Sequence, residues 1–210
     1  MDKRQEALRY YEGGGAKGRA PIVTILGVLS RNAKLGRTLD IGCGNGAVLE
    51  ALSAYTHDIF GVDVSEEALS LTRERLPAAT VAQADVQESL PFTDDYFDSV
   101  LMLDVIEHLQ KPIVALAEIR RVLRAGGLLA ITTPNAASPV RYVRGEKWFG
   151  VADPGHVSLY TVFTLTHALK RAGFRITMTR IEPFTGTVMD PLLRAFRVGG
   201  TLFVASQRAI

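Results

Sequence analysis

The stretch Leu39-Asp40-Ile41-Gly42-Cys43-Gly44-Asn45-Gly46 decides the fold. It begins as a short apolar strand and continues into a turn in which every second residue is glycine. Glycine lets the backbone turn sharply and allows a ligand to approach without meeting a Cβ atom. The segment that follows, Ala47 to Tyr55, has its apolar residues at helical spacing. These residues therefore predict a strand, a ligand-binding turn and a helix in succession.

The rest of the chain repeats this alternation of strand and helix. Apolar runs predict further strands over residues 59–64, 80–84, 97–103, 128–133, 174–181 and 201–205. Amphipathic patterns predict helices over residues 20–34, 65–76, 112–123 and 165–172, and Gly126-Gly127 is expected to end the third of these. The alternation favours an α/β fold, a doubly wound and mostly parallel sheet with helices on both faces. The carboxyl ends of the first four strands then share one rim, where ligands of such sheets bind.

Composition and charge limit the class of protein. A chain of 210 residues with 47% hydrophobic and 22% charged residues is ordinary for one globular domain. The formal net charge of +2 gives no electrostatic reason to expect a nucleic-acid partner. Cys43 is the only cysteine, which excludes an intramolecular disulfide and favours a reducing cytoplasm. The sequence has neither a signal-peptide core nor about 18 uninterrupted apolar residues, so we expect a soluble, cytoplasmic protein without integral membrane association.

Three aspartates at or just after the predicted strands indicate the ligand. Asp40 would repel the pyrophosphate of a dinucleotide but attract the ammonium and sulfonium groups of S-adenosylmethionine; capping of the turn backbone is its alternative role. Asp63 suits the ribose hydroxyls of either cofactor. Asp85 is placed to accept a hydrogen bond from the exocyclic amine of adenine. Because the glycine loop alone also fits a dinucleotide template, the choice of cofactor depends on these acids.

Four consecutive segments carry a resemblance to a known family: LDIGCGNGAVLEAL, FGVDVSEEAL, ADVQESLPFTDDYFDSVLMLDVIEHL and RVLRAGGLLAITTPN. In order and spacing they resemble the motifs of the Rossmann-type (class I) S-adenosylmethionine-dependent methyltransferases. The likeness covers about residues 35–180 and is to the small-molecule branch that includes ubiquinone-biosynthesis O-methyltransferases and natural-product enzymes. It implies seven strands with the last one antiparallel, S-adenosylmethionine as the cofactor and S-adenosylhomocysteine as its product.

The resemblance also implies roles for individual residues. The methionine part of the cofactor would be surrounded by Asp40, Gly42, Gly44 and Gly46. The other implied cofactor contacts are Asp63 with its neighbour Val64 at the ribose, Asp85 and Val86 at adenine, and Leu103 and Asp104 at the floor near the sulfonium.

Two histidines are candidates for a general base, which methyl transfer needs only if the acceptor must lose a proton. His108 lies next to the predicted cofactor site, and His156 lies in residues 134–161, which lack clear periodicity and are interpreted as a functional loop. The sequence leaves the choice open, with a packing role as the alternative for each. His57 and His167 are expected to be structural, and no metal site is predicted.

Four aromatic residues of the loop are candidates for the wall of an acceptor pocket, since small-molecule sites are mostly apolar. They are Tyr142, Trp148, Phe149 and Tyr160, and Tyr11, in an N-terminal flap over the cofactor, is a further candidate substrate contact. Anchoring of the loop by Trp148 and an exposed N-terminus around Tyr11 are equally compatible with the sequence. Residues 188–196 have helical apolar spacing and predict a helix that packs on the domain, with a peripheral membrane contact as the alternative.

We therefore divide one domain into an N-terminal helical cap (1–34), a cofactor-binding core (35–134), a lid or acceptor loop (135–161) and a C-terminal helix with strands (162–210). The expected activity is methyl transfer to an O or N atom of a small molecule by a monomer or homodimer. One alternative is a nicotinamide-dependent oxidoreductase, although a hydride-site signature such as Tyr-x-x-x-Lys is missing. Another is a domain that binds S-adenosylmethionine without turnover. A nucleic-acid methyltransferase lacks support because no Asn-Pro-Pro-Tyr motif is present.

Overall fold

The computed structural model describes residues 35–182 and 200–209, which contain a seven-stranded sheet. In chain order the strands are β1 Thr38–Ile41, β2 Ile59–Asp63, β3 Thr80–Gln83, β4 Phe97–Leu103, β5 Leu123–Pro134, β6 Phe174–Glu182 and β7 Thr201–Arg208. They lie in the order β3-β2-β1-β4-β5-β7-β6. Strands β1 to β5 pair in parallel, whereas β7 pairs antiparallel with both β5 and β6. The predicted doubly wound, mostly parallel sheet with an antiparallel last strand is confirmed.

The helices of the described residues are short, and several differ from their predicted bounds. They are α1 Ala47–Leu52, α2 Glu66–Arg75, α3 Pro112–Val122, α4 Val140–Arg144, α5 Phe149–Ala152 and α6 Val162–Arg171. Two 3-10 turns cover Ile106–His108 and Gly145–Lys147. Helix α1 ends at Leu52, before the predicted Tyr55. Helix α6 begins earlier than predicted because Thr161 and Thr164 form a capping box at its start.

The sheet separates two apolar clusters, because successive side chains of a strand point to opposite faces. On β4, Val100 and Met102 belong to one cluster and Leu101 belongs to the other. On β7, Val204 and Phe203 divide in the same way. Residues of α3 and α6 complete the first cluster, and residues of α1 and α2 complete the second. The helices therefore cover both faces, and the strand ends stay open for a site.

The prediction that Gly126-Gly127 ends helix α3 is wrong. The helix ends at Val122, and β5 begins at once with Leu123, which pairs with Phe97. The register then shifts, so that the next paired residue of β5 is Leu128. The two glycines lie in this irregular part of the strand, where Gly126 adopts a left-handed φ of +74°. Glycine there permits a bulge within a strand rather than the end of a helix.

Residues 135–161, which we call the lid, are not a structureless loop. They contain α4, α5 and the turn between them, and a β-bridge pairs Asn135 with Tyr160. Trp148 is 1% exposed and is the largest fully buried side chain in the described part of the chain. The sequence shows no periodicity here because helices of five and four residues are too short to repeat an apolar spacing.

Some predictions lie outside the described residues. These are the N-terminal helix over 20–34, the cap that contains Tyr11, and the helix over 188–196. Within 35–182 and 200–209, the structure has no helix of the length and apolar character that a membrane crossing requires.

Candidate active site

The glycine loop after β1 is held by main-chain hydrogen bonds to β2. The amides of Gly42 and Cys43 donate to the carbonyl oxygen of Val62 over 2.8 and 3.1 Å. Gly42 has a φ of +73°, and a Cβ atom added there would lie 2.5 Å from Cγ2 of Val105. Val105 belongs to residues 104–109, which follow β4 and which we call the rim turn. A side chain at Gly42 would therefore strain the backbone and strike the rim turn.

Asp63, the last residue of β2, braces the glycine loop. Its Oδ2 accepts a hydrogen bond from the amide of Gly44, and its Oδ1 accepts one from the amide of Ser65, both over 2.9 Å. The carboxylate is almost completely buried. It thus orders both the loop and the start of α2, where the Ser65 hydroxyl caps the helix as expected. Each carboxylate oxygen has a further lone pair that a ligand hydroxyl can use.

Asp40, in β1, is buried without full hydrogen bonding. Its side chain is 1% exposed, and its Oδ2 has no hydrogen-bond partner. Burial and the negative charge of Asp63 raise the pKa of this carboxyl well above its usual range. Buried polar atoms in native proteins are nearly always paired. A cationic ligand would supply the partner that the chain itself does not.

The predicted adenine and ribose contacts lie at the ends of two neighbouring strands. Val64 follows β2 and is 63% exposed, whereas Val86, beyond the end of β3, is buried. The Asp85 carboxylate accepts a hydrogen bond from the amide of Gln87 over 2.8 Å, which fixes the turn after β3. Because β2 and β3 pair in parallel, these residues share one edge of the sheet.

Asp104 and Leu103 lie where β4 ends, and Asp104 has the environment of a cleft floor. Its φ of +54° is unusual for a residue other than glycine. Thr132 holds it: the Asp104 amide donates to the Thr132 carbonyl over 3.1 Å, and Oδ1 accepts from the Thr132 hydroxyl over 2.9 Å. Asp104 as a whole is exposed, but the surrounding protein removes water from its carboxyl group, and this desolvation raises the pKa of Asp104. The hydrogen bond from the Thr132 hydroxyl opposes the effect. Leu103 is half-buried beside Asp104.

The two candidate bases lie together, one on the rim turn and one on the lid. The ring centroids of His108 and His156 are 4.7 Å apart. Nδ1 of His108 lies 3.0 Å from the carbonyl oxygen of Gly155, and Nδ1 of His156 lies 3.1 Å from that of Gly150. A carbonyl oxygen only accepts, so in both rings Nδ1 carries the proton and donates it. The lone pair of each neutral imidazole is therefore at Nε2.

Glu107 is the candidate that the sequence reasoning missed. Its side chain is 1% exposed, and Oε2 has no hydrogen-bond partner. Burial and the negative charge of Asp104 raise the pKa of Glu107 to about 8. Its carbonyl oxygen accepts from the amides of Val157 and Ser158 over 2.9 and 3.0 Å, which ties the lid to the rim turn. The only sequence signal for Glu107 is that it directly precedes His108, and an acid at that position does not by itself indicate burial.

The lid carries a mostly apolar surface pocket with a volume of about 340 Å³. Its lining consists of Arg141, Gly145, Glu146, Trp148, Val151 and Leu159. Trp148 is thus both buried and part of the pocket wall. Tyr142 is 77% exposed, and Tyr160 is buried in the first apolar cluster; within the described ranges neither lines this pocket. The structure therefore separates the aromatic residues that the sequence grouped together.

The rim concentrates negative charge, although the whole chain has a formal net charge of +2. An aspartate lies in or just after each of the strands β1 to β4, namely Asp40, Asp63, Asp85 and Asp104. An unpaired buried carboxylate and a turn in which every second residue lacks a Cβ atom fit a cationic nucleoside such as S-adenosylmethionine. They disfavour a pyrophosphate, which these acids would repel.

Comparison with known proteins gives the same assignment. The profile of a methyltransferase-domain family matches residues 18–179. A probable S-adenosylmethionine-dependent methyltransferase of Mycobacterium tuberculosis is 38% identical over 97 residues, which are 46% of this chain and 35% of that protein. A ubiquinone biosynthesis O-methyltransferase of Thiobacillus denitrificans is 28% identical over 171 residues, covering 77% of this chain and 72% of that enzyme. The chain thus spans about a third of the mycobacterial relative.

The fold also matches solved structures. One is a putative methyltransferase in complex with the Haloferax volcanii Trm112 methyltransferase activator. The TM-score is 0.79 and the sequence identity is 19%, with 96% of this chain and 94% of that chain covered. At this identity the likeness concerns the fold alone.

Proposed function

We propose, because this chain belongs to the S-adenosylmethionine-dependent methyltransferase family, that it transfers a methyl group to an O or N atom of a small-molecule acceptor. The enzyme class and the cofactor, S-adenosylmethionine, come with the family. The acceptor class is supported by the ubiquinone O-methyltransferase among the relatives and by an apolar pocket in the lid. The division into a donor-binding core over 35–134 and an acceptor-binding lid over 135–161 is part of the proposal.

The observation that carries the proposal is the position of the histidine pair. His108 lies on the rim turn and His156 lies on the lid, and their ring centroids are 4.7 Å apart where the two segments meet. An acceptor bound where the lid meets the rim turn would therefore have an imidazole Nε2 with a lone pair beside it. That is the group that an acceptor hydroxyl or ammonium needs in order to lose its proton.

The donor would be held by the residues of the glycine loop and the rim acids. Asp40 would pair with its positive charge, Asp63 with the ribose hydroxyls, and Asp85 with the adenine amine. When bound, S-adenosylmethionine supplies a methyl group already activated by the sulfonium. The chain then has to align the acceptor atom with that methyl group, and such alignment supplies much of the rate acceleration.

His156 is the residue that we assign as the base, with His108 as the second candidate. The neutral imidazole of His156 would accept the acceptor proton at Nε2 while Nδ1 stays bonded to Gly150. Because the lid contributes His156, acceptor binding and deprotonation would depend on the same segment.

The test is acceptor-dependent formation of S-adenosylhomocysteine from methyl-labelled donor. A panel of phenols, catechols, hydroxyquinones and amines would be screened, and we expect one of these classes to become labelled. If the chain binds S-adenosylhomocysteine but labels no member of the panel, the acceptor class proposed here is wrong.

For His156→Gln we expect turnover to fall about 10²–10⁴-fold, as on loss of a general base, with an unchanged dissociation constant for S-adenosylhomocysteine. His167→Gln is the matched control, because His167 is exposed on α6, and it should retain wild-type turnover. Wild-type turnover of the His156 variant, together with a loss in His108→Gln, would transfer the role to His108.

A further inference from the structure

We propose that Glu107, His108 and His156 form a binding site for one divalent transition-metal ion, with Zn²⁺ or Co²⁺ as the preferred type. One ligand atom from each side chain lies within 4.8 Å of the others. The set combines two imidazoles with one carboxylate, a donor combination that suits borderline metal ions better than Mg²⁺ or Ca²⁺, which prefer oxygen ligands.

The histidines are oriented as metal ligands require. In each ring the Nδ1 proton is donated to a main-chain carbonyl oxygen, that of Gly155 for His108 and that of Gly150 for His156. Such a bond fixes the tautomer and leaves Nε2 free to bind a metal ion, and it is the usual outer partner of a ligating histidine. One carbonyl belongs to helix α5 and the other to the turn that follows it, so the orientation of the pair does not depend on a single contact.

Glu107 supplies an independent indication. Its carboxyl is 1% exposed, and its Oε2 has no hydrogen-bond partner, although buried carboxyl oxygens are normally paired. Asp104 and Asp153 add negative charge around it, and Oδ2 of Asp153 lies 3.8 Å from Nε2 of His156. Among the described residues, the Lys and Arg ion pairs involve none of these three acids. A cation at this place would therefore give Oε2 of Glu107 a partner, beside acids that no Lys or Arg of the described residues pairs.

The donor spacing is slightly wider than that of a filled site. Metal–nitrogen and metal–oxygen bonds of about 2.0–2.2 Å place the donors roughly 3.3–3.6 Å apart in a tetrahedral site. The separation of up to 4.8 Å thus requires the side chains to draw together. Since His108 lies on the rim turn and His156 lies on the lid, an ion bound here would also link the lid to the rim turn.

The site has a consequence for turnover, which rests on the proposed function. The ion would occupy the same Nε2 lone pairs that the base uses. A bound transition-metal ion would therefore block deprotonation of the acceptor, and turnover should fall as the site fills. Binding of S-adenosylhomocysteine, which depends on the glycine loop and the rim acids, should not change.

The experiment is a titration of the full, chelator-treated chain with Co²⁺ alone. Co²⁺ bound by nitrogen and oxygen ligands in a four- or five-coordinate site absorbs visible light, so binding is read without any methyl transfer. We expect one Co²⁺ per chain, and a loss of affinity of tenfold or more in each of Glu107→Gln, His108→Gln and His156→Gln. His167→Gln is the control and should bind like the wild type. Calorimetry with S-adenosylhomocysteine checks that every variant is folded.

Two outcomes overturn the site: no Co²⁺ absorption in the wild-type chain, or equal Co²⁺ affinity in the wild type and the three variants. Either result would leave the proposed methyl transfer untouched. In a parallel assay, Zn²⁺ should inhibit turnover over the same concentration range in which it displaces Co²⁺. Stimulation or no effect at full occupancy would leave the metal site standing and would refute the histidine as the base.

Discussion

Asp40 and Asp63 are neighbouring carboxylates of the same rim, but the chain treats them differently. Asp63 accepts hydrogen bonds from two main-chain amides, one of them in the glycine loop. Asp40 is buried with an oxygen that lacks a partner, next to the negative charge of Asp63. Asp63 therefore contributes to the structure of the loop itself, whereas we expect burial of Asp40 to cost folding free energy that a bound cation would offset. Each difference gives a prediction for one side chain.

For Asp40→Asn we expect a more stable chain in the absence of donor, by roughly 1–3 kcal/mol at pH 7, because an unpaired buried carboxylate is removed. The same substitution should weaken S-adenosylhomocysteine binding at least tenfold, since the ligand ammonium loses its counter-charge. Urea unfolding and calorimetry measure the two effects. A variant that is less stable than the wild type, with unchanged binding, would contradict the assignment of Asp40.

The pH dependence of this effect has a definite sign. The folded-state pKa of Asp40 is raised, so the folded chain holds a proton that the unfolded chain releases near pH 4. Its contribution to stability is therefore complete below about pH 4 and is lost as the pH rises through the folded-state pKa. The stability of wild type relative to Asp40→Asn should fall over that interval, as measured by urea unfolding of the donor-free proteins at successive pH values.

Asp63→Ala should weaken S-adenosylhomocysteine binding by tenfold or more and also destabilise the chain by about 1–3 kcal/mol, with the fold retained. The amides of Gly44 and Ser65 would lose their acceptor, which adds a cost beyond the lost ribose contact. Asp58→Ala is a suitable control, because Asp58 forms only a partly exposed ion pair with Arg37. Calorimetry and urea unfolding report both quantities. An unchanged dissociation constant would refute the ribose assignment.

At the scale of elements, the glycine loop and the rim turn behave as one packed unit. The loop is fixed to β2 by main-chain bonds, and Gly42 lies against Val105 without room for a Cβ atom. Gly126, in the irregular part of β5, has nearly the same backbone φ, but a Cβ atom added there would have no neighbouring atom within 4 Å. Comparing a substitution at Gly126 with one at Gly42 therefore distinguishes the cost of backbone strain from the cost of a steric clash.

For Gly126→Ala we expect a destabilisation of about 1–2 kcal/mol from the left-handed backbone alone, with normal cofactor binding. Gly42→Ala carries the same strain and a clash 2.5 Å from Val105 Cγ2, so it should lose more stability and also bind S-adenosylhomocysteine more weakly. Adding Val105→Ala to Gly42→Ala should restore part of both losses, which a double-mutant cycle measures. Equal effects of the two glycine substitutions would exclude the clash.

At the scale of the whole molecule, the proposed site has two halves, the sheet edge and the lid. The sheet edge would supply the contacts to the methyl donor, and the lid contributes His156 and the apolar pocket. They are joined by the amides of Val157 and Ser158 at the Glu107 carbonyl, and Gly155 meets His108. The lid keeps its own shape around Trp148, against which Gly150 packs so closely that a Cβ atom there would lie 2.1 Å from the indole ring.

Trp148→Ala should therefore impair the acceptor half of the proposed site and leave the donor half intact. Large aromatic truncations in a packed interior cost about 3–5 kcal/mol, and here the loss would fall on the lid. We expect a raised KM for the acceptor and a lowered kcat, with the S-adenosylhomocysteine dissociation constant within about threefold of wild type. Phe163→Ala, which removes a 76% exposed ring on α6, is the control and should change neither parameter. Loss of cofactor binding in the Trp148 variant would mean that the lid and the donor site are not separable.

The sequence by itself determined the sheet, the glycine loop and the order of the rim acids. These features depend on local patterns: apolar runs of strand length, helical spacing, and glycines where the backbone turns. It predicted wrongly where a local signal was ambiguous, as at Gly126-Gly127, because glycine ends helices and also permits bulges. It found no order in the lid, whose short helices depend on packing around Trp148 rather than on periodicity.

The tertiary structure alone decided which residues meet. His108 and His156 are far apart in the chain, and only the docking of the lid on the rim turn places their rings together. Glu107 became a candidate because burial left one of its oxygens unpaired, a property that no sequence pattern encodes. Distances between side chains and the loss of water around them arise when distant segments pack. Local sequence patterns predict the strands and the longer helices, but only the packed fold orders the lid and brings the distant segments together into a site.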